Sequence, residues 1–258
     1  MVKMGNSEAD RQMVKREYQD ERHADYHTRQ FEEPYRSTVH LSTFVKSVLG
    51  DSVEEPLRAI DIGCGGGANI YHLAKVLPKT EWVGIDWADQ FFDLGRPHMA
   101  GAKVNCEFIK GDFYQLTKIF GEKSFDLAYS IQTLSWLPGY EDAFLEILRV
   151  TRKWAFVTSL FTDYRADIIS RVHPYQGPPW DKPAAYFYNV YCYDRFYDFC
   201  LAHGASELIS QDFVMDIDLP EPEGKAMGTY TKRLEGEKRM QFSGPMHMPW
   251  RFIAIRMG

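Results

Sequence analysis

Apolar positions along this chain fall into short, nearly continuous runs separated by stretches of helical spacing. "LRAIDIG" (57–63) reads as a buried strand, and "ANIYHLAKVLP" (68–78) as a helix ended by Pro78. "EWVGID" (81–86), "CEFIKGD" (106–112), "SFDLAYSI" (124–131) and "KWAFVTSLF" (153–161) are four more strands. Helical stretches such as "YEDAFLEILRVT" (140–151) separate most of them. This alternation demands crossovers and predicts a mostly parallel sheet with helices on both faces, an α/β fold.

The flanks read differently. Residues 8–31 are polar and helix-permissive, and "STVHLSTFVKSVLG" (37–50) places Val39, Phe44, Val45, Val48 and Leu49 mainly on one side of a helix stopped by Gly50. Past 161 the pattern loosens into a Pro-rich loop, "HPYQGPPWDKP" (173–183), and then a helix, "YDRFYDFCLAHG" (193–204). A strand lies within 206–220, and "GTYTKRL" and "RMQFSGP" flank "EGEK" as a β-hairpin would. "WRFIAIRM" (250–257) alternates as a closing strand. Two late strands joined by a hairpin-like excursion predict an antiparallel sheet edge.

Composition changes little in this picture. The 258 residues suit one domain, 45% hydrophobic and 26% charged. A net charge of −6 without a basic block disfavours a nucleic-acid substrate. Cys64, Cys106, Cys192 and Cys200 are scattered, form no CxxC pair and read as free thiols. No apolar leader or run of membrane-spanning length is present, so a cytoplasmic protein with no membrane partner is expected. Oligomeric state is left open, a homodimer included.

The chemistry gathers where strands end. "DIGCGGG" lies between the first strand and its helix, where Gly63, Gly65 and Gly67 permit a tight turn and a ligand close to the backbone. Gly63-x-Gly65-x-x-Ala68 satisfies the dinucleotide fingerprint, so the loop alone does not separate NAD from another adenosine cofactor. Three acids do more. Asp61 precedes Gly63 by two, where a dinucleotide needs no carboxylate but a cofactor with a free ammonium does. Asp86 ends the second strand, placed to accept from both ribose hydroxyls. Asp112 in "KGDF" ends the third, placed to accept from an adenine amino group with Phe113 against the ring. Each alone reads as a cap or loop residue; three at successive strand ends beside a glycine loop do not.

"AIDIGCGGGANI", "WVGID", "IKGDF" and "FDLAYSIQTLSWL" together resemble the successive cofactor motifs of class I S-adenosylmethionine-dependent methyltransferases. The resemblance covers about 59–161. It implies a Rossmann-like seven-stranded sheet with an antiparallel last strand and S-adenosyl-L-methionine as cofactor. It implies that Gly63, Cys64, Gly65 and Gly67 line its methionine and ribose part, that Asp86 with Trp87 holds the ribose, and that Asp112 with Phe113 holds the adenine. Ser130, Ile131 and Gln132 would run beside the methyl group. The division expected is a helical cap (1–50), a cofactor core (51–161) and substrate-side insertions with the closing strands (162–258).

In-line methyl transfer needs positioning, water exclusion and, for a hydroxyl acceptor, a base. Two lids are expected. One is the N-terminal segment 23–38, with Tyr26, His27, Gln30, Phe31 and Tyr35 over the cofactor and Arg36 on its carboxylate. The other is 161–192 with 221–248, carrying Trp180, Tyr186, Tyr188, Tyr191, Tyr230 and Phe242. His173, His247 and Asp163 are the candidate bases; His72 and His203 read as exposed, and His98 as nearer the adenosine side. No compact Asp/Asn cluster for a divalent ion follows the fourth strand. "SIQTLSWLPGY", "YNVYCYD", "DIDLPEPEGKAMGTYTKRL" and "FSGPMHMPW" are similar to a bacterial methyltransferase group associated with surface-glycan and other small-molecule biosynthesis. That implies a small-molecule acceptor, with a sugar or glycan-precursor hydroxyl leading and an amine or amino sugar next. A non-catalytic cofactor-binding partner protein and a nicotinamide oxidoreductase are the rivals; Asp61 and the "GD" turn have no role in the latter.

Overall fold

The computed structural model describes residues 7–18, 24–173, 186–223, 227–234 and 238–258. Three helices open it: α1 (Glu8–Tyr18), α2 (Ala24–Glu32) and α3 (Arg36–Leu49). The core then alternates as β1 (Arg58–Ile62), α4 (Ala68–Leu73), β2 (Glu81–Asp86), α5 (Phe92–Gly101), β3 (Cys106–Lys110), α6 (Leu116–Phe120), β4 (Phe125–Ile131), α7 (Glu141–Val150) and β5 (Thr151–Thr162). Short strands β6 (Arg171–Val172), β7 (Tyr186–Phe187) and β8 (Tyr191–Cys192) follow, then α8 (Tyr193–Ala202) and β9 (Ala205–Asp212). The hairpin is β10 (Thr229–Arg233) with β11 (Arg239–Ser243), next to β12 (Met246–His247), and β13 (Trp250–Met257) closes the chain. α4 is shorter than its apolar spacing: past Leu73 the backbone continues as turns, Leu77 N–H donating to Leu73 C=O at 2.9 Å.

The central sheet has the order β3-β2-β1-β4-β5-β13-β9, the seven strands expected, and two-residue β8 adds an eighth pairing, to β5. β3 through β5 are mutually parallel. β13 runs antiparallel to both β5 and β9. The strands are apolar on both faces because helices cover both. Ala59, Leu127, Tyr129, Phe156 and Phe252 face the layer of α2–α5, where Phe31, Leu41, Phe44 and Leu73 are buried. Ile60, Ala128, Val157, Ile253 and Ile255 face the opposite layer, where Val14, Leu116, Phe144 and Phe196 come from α1, α6, α7 and α8. Fully burying a side chain such as Phe31 or Phe144 is worth about 1.5–3 kcal/mol, so both helix layers are held mainly by these faces.

Two small sheets, β10-β11-β12 and β6-β7, stand outside this frame. Cys192 caps and Cys200 lies within α8; all four cysteines are free. Trp180 and residues 235–237, where the hairpin's turn was expected, lie outside the described residues. No helix among the described residues is long and apolar enough to cross a membrane.

Candidate active site

The carboxyl edge of the sheet is where the parallel strands leave their loops, and the turn after β1 shapes it. Gly63 and Cys64 N–H both donate to Ile85 C=O, at 2.9 and 3.2 Å, which ties this loop to the end of β2. Gly63 and Gly65 have φ of +78° and +52°, where an L side chain is strained. Space is short as well: a Cβ on Gly63 would lie 2.7 Å from Thr133 Oγ1, and one on Gly65 would overlap His27 Cε1. The bare backbone thus makes room for Thr133 after β4 and for His27 of α2. Gly67 opens α4 and packs on Phe108, away from the opening.

A cavity of about 510 Å³ lies over this loop. One end is formed by Gly63, Cys64, Gly65, Asp86, Trp87 and Phe113. The middle is Ile131, Gln132 and Thr133 from the end of β4, with Asn69 of α4. The other end is aromatic, with Tyr35, Trp136, Tyr186 and Tyr188, beside Met227 and Ser243 of the late segment. Val14 and Glu17 of α1 and Tyr26, His27 and Gln30 of α2 form the N-terminal wall. α2 is anchored by Phe31, stacked on His98 with centroids 4.1 Å apart, and by a 2.8 Å hydrogen bond between Gln30 C=O and His72 Nε2. His72 is therefore half-buried rather than exposed, because α2 covers it. His203 is exposed.

The three acids have three different settings. Asp86 Oδ2 accepts from Gly65 N–H at 2.8 Å and Oδ1 from Ala88 N–H at 2.9 Å, so the carboxylate knits the glycine loop to its own turn while lining the cavity. Each oxygen keeps a further lone pair. Burial raises its pKa, and the backbone N–H groups of Ala88, Gly65 and Trp87 oppose that. Asp61 is 1% exposed, sits just behind Gly63, and has no hydrogen-bond partner on either oxygen among the described residues. Burial first, and Asp86 second, push its pKa up to about 8. Asp112 Oδ1 accepts from Tyr114 N–H at 2.9 Å and caps the short 3-10 turn after β3. Phe113 of that turn stacks on Trp87, centroids 4.4 Å apart, and the pair forms an apolar wall of the cavity.

Gln132 is one of three non-glycine residues with positive φ among the described residues, +56°. That backbone is held by Gln132 N–H donating to Thr158 C=O at 2.7 Å, and the side-chain amide donates to Ser37 Oγ at 3.1 Å. The loop beyond it hangs on buried Asn189, whose amide donates to Leu137 C=O at 2.7 Å and to Tyr191 Oη at 3.1 Å. Tyr191 Oη in turn donates to Leu134 C=O at 3.0 Å. Ser130 is fully buried beneath this loop and does not line the cavity.

Other sequence expectations land elsewhere. Arg36 forms a two-pronged ion pair with Asp216, Nε to Oδ1 at 2.8 Å, and does not line the cavity. Asp163 is exposed and pairs with Arg251 at 3.0 Å. His173 is exposed past β6, and His247 is exposed on β12, its pKa lowered by partial burial and then by Lys238. None of the three candidate bases lines the cavity. Of the late aromatics, Tyr186 and Tyr188 reach it, whereas Tyr191 is buried and Tyr230 and Phe242 stack on each other. The titratable lining groups that motif reasoning passed over include Glu17, whose helix carries no signal beyond polarity.

These residues fit an adenosyl cofactor bearing an ammonium group. A buried carboxylate without a partner is costly unless a cation or donor completes it, and Asp61 lies directly behind the glycine loop. The Trp87–Phe113 pair offers an apolar wall against which a flat base can lie, and the free lone pairs of Asp86 fit ribose hydroxyls.

Comparison with known proteins agrees. Residues 59–153 match the family described as "Methyltransferase domain". The chain is 26% identical over 133 residues to a fatty-acid O-methyltransferase of Mycolicibacterium smegmatis, covering 51% of this chain and 43% of that protein. It is 32% identical over 104 residues to 24-methylenesterol C-methyltransferase 2 of Arabidopsis thaliana, covering 40% and 28%. The chain thus spans less than half the length of these relatives. Among solved structures, the fold is shared with a Burkholderia thailandensis 1,6-didemethyltoxoflavin-N1-methyltransferase bound to its substrate and S-adenosylhomocysteine. There the TM-score is 0.58, with 14% identity over 89% of this chain and 81% of that one. A Thermotoga maritima protein described as a "possible histamine N-methyltransferase" gives a TM-score of 0.53, 17% identity, and coverage of 92% and 96%.

Proposed function

We propose, from the match of residues 59–153 to a methyltransferase domain, that the chain is a class I, S-adenosylmethionine-dependent enzyme that transfers a methyl group to a small molecule. The observation that carries this reading is one continuous cavity that joins the glycine loop to an aromatic chamber across the end of β4. The cofactor supplies an electrophilic methyl on a sulfonium. The protein's own part is to hold, orient and keep dry. Gly63, Gly65, Asp86, Trp87 and Phe113 would hold the adenosyl group, with Asp61 behind its ammonium end. Asp112, occupied as a cap, does not line the cavity, so the adenine is left to Trp87 and Phe113. Gln132, fixed by Thr158 and Ser37, stands between the two ends of the cavity, and α2 shuts out water.

Two acceptor classes suit such a chamber: the hydroxyl of a sugar or glycan precursor, and an amine. A hydroxyl calls for a group that takes its proton. His173, His247 and Asp163 lie off the cavity, so on the hydroxyl reading that task passes to the lining groups His27 or Glu17.

Calorimetry with S-adenosylhomocysteine and with NAD tests the reading. Micromolar binding of the former and none of the latter is expected. Asp86→Ala should weaken S-adenosylhomocysteine by about tenfold, the scale of a hydrogen bond to a charged group. Binding of NAD alone would overturn the proposal. Incubation with methyl-labelled cofactor and metabolite pools then identifies the acceptor.

A further inference from the structure

We propose that His72 is a pH-sensitive latch on α2: as the neutral imidazole it holds the helix over the cavity, and on protonation it lets the helix go. The latch begins with a proline. In a continuing helix Gln30 C=O would accept from the N–H of residue 34, but that residue is Pro34 and has none. Glu33 N–H donates one carbonyl earlier, to Arg29 C=O at 2.9 Å. The missing donor comes from α4, where His72 Nε2 lies 2.8 Å from Gln30 C=O. The other ring nitrogen, Nδ1, faces Lys75 Nζ at 3.4 Å, and the Tyr71 ring, 4.4 Å from that ammonium, helps to keep it there.

These two partners fix the state of the ring. A carbonyl only accepts, so Nε2 carries a hydrogen; an ammonium only donates, so Nδ1 carries a lone pair. A second proton, on Nδ1, would end the Lys75 hydrogen bond and set two like charges face to face. The Gln30 carbonyl by itself favours the imidazolium, but burial under α2, the largest influence, and Lys75 outweigh it, and the pKa is lowered. Among the described residues, Lys75 is the charge that acts on the ring. α3 meets α4 through the neutral pair Thr38 and Asn69, and His98 of α5 faces Tyr71 and Phe31. Once α2 lifts, the ring regains water and its ordinary value of 6.5. The undocked state then binds the proton more tightly, so docking is strongest above that value and weakens as pH falls through it. α2 carries Tyr26, His27 and Gln30 as a wall of the cavity, so its release uncovers the glycine loop.

Amide hydrogen exchange on the full, ligand-free chain tests the latch without calling on the methyltransferase reading. Protection across α2, residues 24–32, is compared at about pH 7.5 and about pH 5.5 after correction for the intrinsic effect of pH on exchange. It should drop about fivefold; the ceiling is about tenfold, since the lower pH lies about one unit below the ordinary histidine value. Protection of β1–β5 should hold at both. His72→Gln keeps an N–H donor that does not titrate and should lose most of the drop. Lys75→Met, at an exposed position, removes the opposing ammonium and should shrink the drop. Equal protection of α2 at the two pH values, a His72→Gln variant that drops as far as wild type, or exchange that rises alike across the whole chain overturns the latch.

Discussion

Asp61 is the residue at which structure and function pull against each other. Its unfolded counterpart gives up its proton near 3.8, whereas the folded carboxyl holds it to about 8. Between those values the unfolded chain binds fewer protons, so this group makes the ligand-free fold less stable as pH rises through the window. Asp61→Asn should flatten that slope and raise the melting temperature of the ligand-free protein near neutral pH. On the proposed reading, in which Asp61 completes the cofactor's ammonium, the same variant should bind S-adenosylhomocysteine about tenfold more weakly. The wild-type affinity should increase from about pH 6 to pH 8 as Asp61 ionises, and a pH series of titrations reads it. A ligand-free Asn variant less stable than wild type would refute the assignment. Asp61 was legible in the sequence because it occupies a strand end two positions before a glycine turn. Its want of a partner was not, since that depends on Gly84 and Tyr129 of the flanking strands presenting nothing to it. Nor was Gly65's contact with His27, which joins residues far apart in the chain.

Among the elements, α2 has the most consequence for its length. Nine residues carry Tyr26 and His27 into the cavity and Phe31 into the core. Phe31→Ala should cost about 3 kcal/mol locally, the usual scale for a buried ring removed. Faster amide exchange across 24–32 and faster dissociation of S-adenosylhomocysteine should follow, with β1–β5 protection unchanged. Exchange that rises equally everywhere would show that α2 is not a separate unit. The strands were readable because parallel strands buried on both faces leave apolar runs, as β1, β2 and β4 do. α2 was readable as a lid region but not as a clamp on His98 and His72, because its anchoring ring lies among polar neighbours in the sequence. The base candidates missed the cavity for a related reason: β12 and the end of β6 carry His247 and His173 past the chamber, and only the folded loops show it.

At the scale of the molecule, the parallel strands leave their loops on one edge, and β10 and β11 bring Thr229 and Ser243 to the cavity there. The aromatic end of the cavity was not legible at this scale. Its rings come from α2, the loop after β4 and the segment before α8, none of which shares a motif. α2 itself touches both rooms: His27 rests on the glycine turn, while Tyr26, its neighbour, leans toward Tyr35 at the aromatic end. A single rigid door across two adjoining chambers cannot serve visitors in arbitrary sequence. Turnover should therefore follow a compulsory order, the nucleoside arriving first and its spent form departing last. Steady-state product inhibition reads that order directly: S-adenosylhomocysteine should compete with S-adenosylmethionine and not with the acceptor, and a random pattern would mean the door has two hinges.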